Sequence, residues 1–232
     1  MKINTNISIL SVLLCALVLT GCNAFGRSGA SGEVNFDKET SYALGLNSAL
    51  NWKNMGIRPD LKELFRGVSD AYNKDEQKYT IEETNELLNT AYSELQEKIA
   101  AANRQAGDEY LEENSQKEGV IITESGLQYE LLSEGMGDKP GPEDTVRVHY
   151  EGQLVDGTVF DSSYSRGDPM EFPVNAVIPG WSEGLQLMNV GSSYRFVIPS
   201  DLGYGPWGAG QSIPPDSVLI FKVDLIDIVK KE

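Results

Sequence analysis

Val146-Arg147-Val148-His149-Tyr150-Glu151-Gly152-Gln153-Leu154-Val155-Asp156-Gly157-Thr158-Val159-Phe160 is the stretch that decides the fold. Val146, Val148 and Tyr150 alternate with Arg147, His149 and Glu151, the period of a strand with one buried face. Asp156-Gly157 then marks a tight hairpin turn into Thr158-Val159-Phe160, so the pairing is antiparallel. The alternation returns in Tyr194, Phe196 and Ile198, and again in Leu219, Phe221, Val223 and Leu225. Between the first strand and these, residues 179–188 space Trp181, Leu185 and Met188 as one helical face. The pattern predicts an α+β unit in which a curved antiparallel sheet wraps a short helix.

Working toward the N-terminus, the composition breaks near residue 120. Nine of the ten prolines and fifteen of the twenty-three glycines follow residue 118, and the stretch before it reads as helix. This predicts a helical domain over 37–119 and the sheet domain over 120–232. From Ile81 to Lys117 there is no proline, and Leu88, Tyr92, Leu95, Ile99, Ala102, Ala106 and Tyr110 recur at spacings of three and four. One helix of that length would run ~55 Å, and Gly107 is its expected weak point, where a bend would cost least. Lys38–Asn51 and Asp60–Tyr72 are two shorter helical patterns, separated by a stop and restart through Gly56 and Pro59. Three helices with narrow apolar faces leave half a core missing, and the expected other half is a second copy of the chain, a homodimer. The alternative is a helical appendage folded back on its own domain.

At the start of the chain, Lys2 precedes an apolar run from Ile7 to Leu19, thirteen residues where a membrane span needs ~20. It reads as a signal peptide. Leu19-Thr20-Gly21-Cys22 resembles the lipobox of bacterial lipoproteins, which implies that Cys22 is acylated once residues 1–22 have served as the targeting segment. The alternative is an ordinary secretory signal with a chance cysteine. Residues 23–36, rich in Gly and Ser, read as a flexible tether. The expected location is the bacterial cell envelope, with the protein lipid-anchored at the outer membrane or facing the periplasm, held at the surface and not spanning it.

Charge and composition remove whole classes of function. A net charge of -16 repels a phosphate backbone, so nucleic acid is excluded as a partner. One histidine and two cysteines cannot build the usual His/Cys metal site, and neither metal nor cofactor is expected. A Ser–His or Cys–His nucleophile would have to use His149, which strand alternation turns away from Tyr150. Residues 203–208 satisfy G-x-G-x-x-G literally, but Pro206, Pro214 and Pro215 forbid the helix that would hold a pyrophosphate.

Five blocks carry a specific resemblance. Val148-His149-Tyr150, residues 157–163 (Gly-Thr-Val-Phe-Asp-Ser-Ser), Val177-Ile178-Pro179-Gly180-Trp181, Gly203-Tyr204-Gly205 and Ile213-Pro214-Pro215 follow the order and approximate spacing of the FKBP-type peptidyl-prolyl cis-trans isomerases. The helical region is similar to the N-terminal dimerisation domain of the macrophage infectivity potentiator branch, whose members are V-shaped homodimers. The resemblance implies an isomerase that assists folding of envelope or secreted proteins and acts on proline-containing unfolded polypeptides, with macrolides as inhibitors.

The resemblance further implies a prolyl pocket with Trp181 as its floor and Tyr150, Phe160, Val177, Ile178, Ile213 and Phe221 as its walls. Tyr204 would donate its hydroxyl to a substrate carbonyl, as would the Ile178 backbone N–H, and Asp161 would interact with Tyr150 or Arg166. Met170 stands where small family members have a pocket Phe, and Ala209 where some carry His, which puts in doubt the preference for the residue before proline. The residue types suit the reaction. Rotating an X-Pro bond must overcome ~18–20 kcal/mol of amide resonance, breaks no bond and needs no base or metal. A dry apolar pocket solvates the planar, polar amide less well than the twisted one. The alternative function is a holdase chaperone or surface-adhesion lipoprotein that binds chains with little turnover.

Overall fold

In the computed structural model, residues 35–74 and 77–229 are described. The chain divides into two compact units, Met1–Asp75 and Glu76–Glu232. Cys22 and residues 23–34 of the expected tether lie outside the described residues. Among those that are described, no helix is long and apolar enough to cross a membrane.

The first unit holds α1 (Lys38–Asn54) and α2 (Leu61–Asn73). Each starts at an aspartate whose carboxylate accepts from first-turn backbone N–H groups, Asp37 from Thr40 at 2.7 Å and Asp60 from Lys62 and Glu63 at 2.9 and 3.1 Å. Among the described residues, neither helix has a buried side chain. On α2, Leu61, Leu64, Phe65, Val68 and Tyr72 form the expected single stripe, and Phe65 is 65% exposed. α1 departs from the narrow face that periodicity suggested. At 100° per residue Tyr42, Leu46 and Leu50 share one side while Leu44 lies on the opposite one, all four exposed.

The second unit opens with α3 (Ile81–Ser115), 35 residues started by a full capping box in which Thr80 and Glu83 bond each other's backbone N–H groups. α3 runs uninterrupted through Gly107. Its buried residues are Ala100, Gly107 and Asn114, a face of small and polar side chains distinct from the apolar stripe that the spacing picks out. There is a packing reason for Gly107: a Cβ at this position would stand 2.7 Å from Val218 Cγ2.

Seven antiparallel strands follow: β1 (Val120–Ile122), β2 (Gln128–Ser133), β3 (Thr145–Leu154), β4 (Val159–Ser162), β5 (Met170–Pro173), β6 (Ser193–Ile198) and β7 (Leu219–Val229). Their order is β1-β2-β6-β7-β3-β4, with β5 pairing β3 beyond that path. The expected hairpin joins β3 to β4 through Gly157, whose φ of 84° suits the turn. Register shifts in the β2, β3 and β4 pairings supply the bulges that bend the sheet. Two short helices complete the unit, α4 (Ser163–Arg166) and α5 (Pro179–Leu187).

One sheet face wraps α5. Val146, Val148, Tyr150, Phe196, Ile198, Leu219, Phe221, Val223 and Leu225 pack with Trp181, Leu185 and Met188 in one buried core. The other face meets α3, where Val197, Val218 and Ile220 are covered by Tyr110 and Leu111. Both sides of β6 and β7 are therefore apolar in the middle of the sheet, whereas β3 keeps the strict alternation that the sequence displays. The fold is α+β: a helical N-terminal region, then an antiparallel sheet on a short helix.

Candidate active site

The hairpin, α5 and β7 bring aromatic residues from distant parts of the sequence into one cluster. Tyr150 on β3 and Trp181 on α5 meet edge to face with centroids 5.3 Å apart, and Trp181 meets Phe221 on β7 at 5.1 Å. Phe160 on β4 closes against Phe221 at 5.5 Å. All three contacts are near-perpendicular, the arrangement that the ring quadrupoles favour. Gly152 makes room for them, since a Cβ there would sit 2.6 Å from both Phe160 and Phe221. Trp181, Tyr150 and Phe221 are buried, while Phe160 is half-buried.

The Trp181 indole N–H is buried without an acceptor among the described residues. A donor left so costs about 1–3 kcal/mol.

Beside the rings lies a closed polar triad. The Tyr150 hydroxyl donates to Asp161 Oδ2, Arg166 Nη1 pairs with Asp161 Oδ1, and Arg166 Nη2 donates to the Tyr150 hydroxyl at 3.1 Å. Burial pushes the Asp161 carboxyl up, but the hydrogen bonds from Tyr150 and Arg166 and the guanidinium charge outweigh it, so the group sits below its ordinary range. Burial also raises the Tyr150 hydroxyl, and the bond to Asp161 raises it further. At neutral pH the triad is therefore a neutral phenol between a carboxylate and a guanidinium, with both Asp161 oxygens engaged. It is built to hold a ring in place and has no free base.

Val177 and Ile178 pack against the same core from the segment entering α5, and Ile213 is buried against it from the loop before β7. Ile178 accepts from the first N–H groups of α5, Trp181 at 2.9 Å and Ser182 at 3.0 Å, and its own N–H has no backbone partner among the described residues. Tyr204 and Met170 are 40% and 37% exposed, and Met170 stands opposite Val148 on the β5 face that carries Phe172. His149 points to the other side of β3, where Nδ1 lies 3.0 Å from Ser163 Oγ and the ring stacks on Tyr164. The literal G-x-G-x-x-G forms only a three-residue 3-10 turn, Gly205–Trp207.

Two residues of this cluster escaped the sequence reading. Phe172 packs edge-on against both Tyr150 and Trp181, at 5.8 and 5.5 Å, two residues along the β5 face from Met170. The alternation Met170-Glu171-Phe172 was the available signal. Gly152 was the other, and a glycine interrupting an otherwise regular strand pattern was its mark.

Comparison with known proteins matches two family models to successive parts of the chain, with their junction between residues 131 and 137. Residues 137–226 match the model of the FKBP-type peptidyl-prolyl cis-trans isomerase domain, and residues 37–131 match that of the domain amino-terminal to it. An FKBP-type 22 kDa peptidyl-prolyl cis-trans isomerase of Escherichia coli is 45% identical over 201 residues, 83% of this chain and 96% of that one. The chain belongs to the FKBP-type peptidyl-prolyl cis-trans isomerases. Within that family, the FkpA isomerase of Aeromonas hydrophila is 45% identical over 84% of this chain and 78% of its own. The outer membrane protein MIP of Legionella longbeachae is 41% identical over 89% and 92%. The crystal structure of FkpA from Escherichia coli superposes with a TM-score of 0.63 at 38% identity, covering 84% of this chain and 97% of that one. The protein is thus a peptidyl-prolyl cis-trans isomerase acting on proline-containing polypeptides.

Proposed function

We propose that the ring cluster is the prolyl site and that catalysis there is non-covalent. The observation that carries this is the perpendicular packing of Tyr150 and Phe221 on Trp181, with Phe160 closing perpendicularly against Phe221, an apolar surface with no free base among the described residues. The prolyl ring rests on Trp181 between Phe160, Val177, Ile178, Ile213 and Phe221. Poor solvation of the planar amide there favours the twisted bond, in which charge separation is reduced. The Ile178 N–H and the exposed Tyr204 hydroxyl fix substrate carbonyls, and the Tyr150–Asp161–Arg166 triad holds the wall and offers its rim to the residue before proline. Met170 tunes that preference as a flexible filler. A pocket of this kind also accepts macrolides.

The exposed apolar residues of α1 and α2 support a homodimer. Apolar side chains on opposite sides of α1 fit a helix covered from more than one direction. The apolar run and Cys22 support a lipid anchor in the bacterial envelope, and the clients are envelope or secreted chains. The same helices, when uncovered, would hold unfolded segments, which supports a chaperone role alongside turnover.

The test is refolding of a protein limited by one cis-proline, with catalytic amounts of the chain from Asn23. Acceleration that rapamycin and Phe160→Ala both abolish is expected. Acceleration that persists in Phe160→Ala would displace the site, and client protection lost together with turnover in that variant would deny a separate holding function.

A further inference from the structure

The loop from Gly203 to Asp216 carries Tyr204 at its start and Ile213 near its end, and its two limbs are tied together by backbone. Ala209 and Ile213 exchange hydrogen bonds of 2.8 and 3.1 Å, and the Asp216 N–H donates to the Gly205 carbonyl at 2.9 Å. Asp216 is unusual in two ways. It is the one non-glycine residue with positive φ among the described residues, at 55°, and its carboxylate is nearly buried, the residue being 7% exposed. A buried charge and a left-handed backbone both need outside support.

That support comes from α3, 112 residues away in sequence. Arg104 forms an ion pair with Asp216 Oδ2, and Asn103 Nδ2 donates to the Pro215 carbonyl at 2.8 Å. One turn on, Val218 fills the space that Gly107 leaves open. α3 is itself fixed to the sheet further along. Asn114 bonds Gln128 at 2.8 Å and accepts from Arg195 at 3.0 Å, Arg195 also reaches the Tyr110 hydroxyl, and Gln128 donates to the Leu111 carbonyl at 2.9 Å. The loop is thus held against a helix anchored independently of it.

We infer that Arg104 and Asn103 are positioning residues of the isomerase: acting through Asp216 and Pro215, they hold the limb that presents Tyr204 and Ile213 to the prolyl ring. The inference rests on the site assignment proposed above. Without Arg104 the buried Asp216 carboxylate has no counter-charge and keeps only the long bond from the Ser200 hydroxyl, 3.5 Å to Oδ1, and the limb relaxes to bring it to water. The tie to Gly205 then loosens, moving Tyr204 and Ile213 while the rings on β3, β4, α5 and β7 stay in place. Substrate capture suffers most, whereas the rings of the twisting surface keep their places and only its Ile213 wall shifts.

The experiment measures kcat and KM of the full-length protein on a short proline peptide, with Arg104→Met, Arg104→Lys, Asn103→Ala, the double variant Arg104→Met/Asp216→Asn, and Phe160→Ala as the site control. Arg104→Met is expected to lose about tenfold in kcat/KM, most of it in KM with kcat changed less than threefold, because the loss lies in binding. Arg104→Lys should recover to within threefold of the parent, and the double variant should be no worse than Arg104→Met, as the two act as one unit. A purely structural role would instead shrink the active fraction, lowering kcat at unchanged KM, and that result overturns the inference. So does kcat/KM within twofold of the parent in Arg104→Met while Phe160→Ala is inactive. If Phe160→Ala also retains activity, it is the site assignment that fails. Should Arg104→Met not fold, Asn103→Ala decides the matter: a KM raised about threefold is expected, and an unchanged KM overturns the inference.

Discussion

Phe65 on α2 and Phe196 on β6 belong to equally regular apolar patterns, yet Phe65 is 65% exposed and Phe196 is 1% exposed. Periodicity tells which face of an element wants to leave water, and it does not tell which chain supplies the cover. In the sheet region the cover is internal, because α5 and the strands fill one another. In the helical region nothing among the described residues buries the stripe of α2. Truncating the buried ring should therefore have the largest effect of any single change. Phe196→Ala is expected to cost about 3–5 kcal/mol in urea unfolding followed by circular dichroism. A cost below about 1 kcal/mol would erase the contrast, since that is the size expected for a side chain already in water.

The same contrast is sharpened from the other side by Phe65→Ala combined with Tyr72→Ala. If a second copy covers this stripe, the pair should weaken self-association by about 100-fold, about 3 kcal/mol, measured by sedimentation over a concentration series. Turnover on a short proline peptide should be unchanged, because the rings of the candidate site belong to the other unit. A parent protein that stays monomeric across micromolar concentrations would break the dimer reading, and the exposed stripe would then require a different partner.

How much of this was legible in sequence depends on what each contact is made of. β3, β4 and α5 were readable because large apolar side chains recur at the period of the element, and the resemblance carried by five motif blocks grouped Tyr150, Phe160 and Trp181, with Phe221 added from the strand pattern of β7. The seat of α3 on the sheet was readable only at Tyr110. Its buried face is Ala100, Gly107 and Asn114, with Asn103 and Arg104 beside them, small and polar residues that a hydrophobic period passes over. The apolar stripe in its N-terminal half is exposed instead, as at Leu88 and Tyr92. Gly107 makes the point most sharply. Helix propensity alone predicts that Gly107→Ala stabilises by about 1 kcal/mol. Contact with Val218 at 2.7 Å predicts an overpacking cost of about 1–3 kcal/mol, so the net expectation is a loss of about 1 kcal/mol, which Val218→Ala should restore. A gain in stability for Gly107→Ala alone would show that α3 is held more loosely there than the contact implies.

The smallest expected effect distinguishes the polar rim of the site from its apolar floor. The Asp161 carboxyl sits below its ordinary value of 3.8 because the bonds from Tyr150 and Arg166 outweigh burial. A carboxyl depressed on folding contributes stability that is in place above its unfolded value and is lost as pH falls through its folded value. The stability gap between the parent and Asp161→Asn should thus be constant from about pH 8 to pH 5 and close below about pH 4. Both charged partners are substantially exposed, 45% for Arg166 and 40% for Asp161, so water screens the pair and the gap should stay under about 1 kcal/mol. Turnover of the folded protein should decline at lower pH than the stability gap begins to close, as the depressed Asp161 carboxyl takes up its proton, if the triad holds the Tyr150 wall, and Asp161→Asn should give a flat profile through that decline. A parent whose activity is the same with the Asp161 carboxyl ionised and protonated, its titration followed by NMR while the fold persists, would mean that the rings alone set the geometry of the pocket. The salt bridge at its rim would then be dispensable to the reaction.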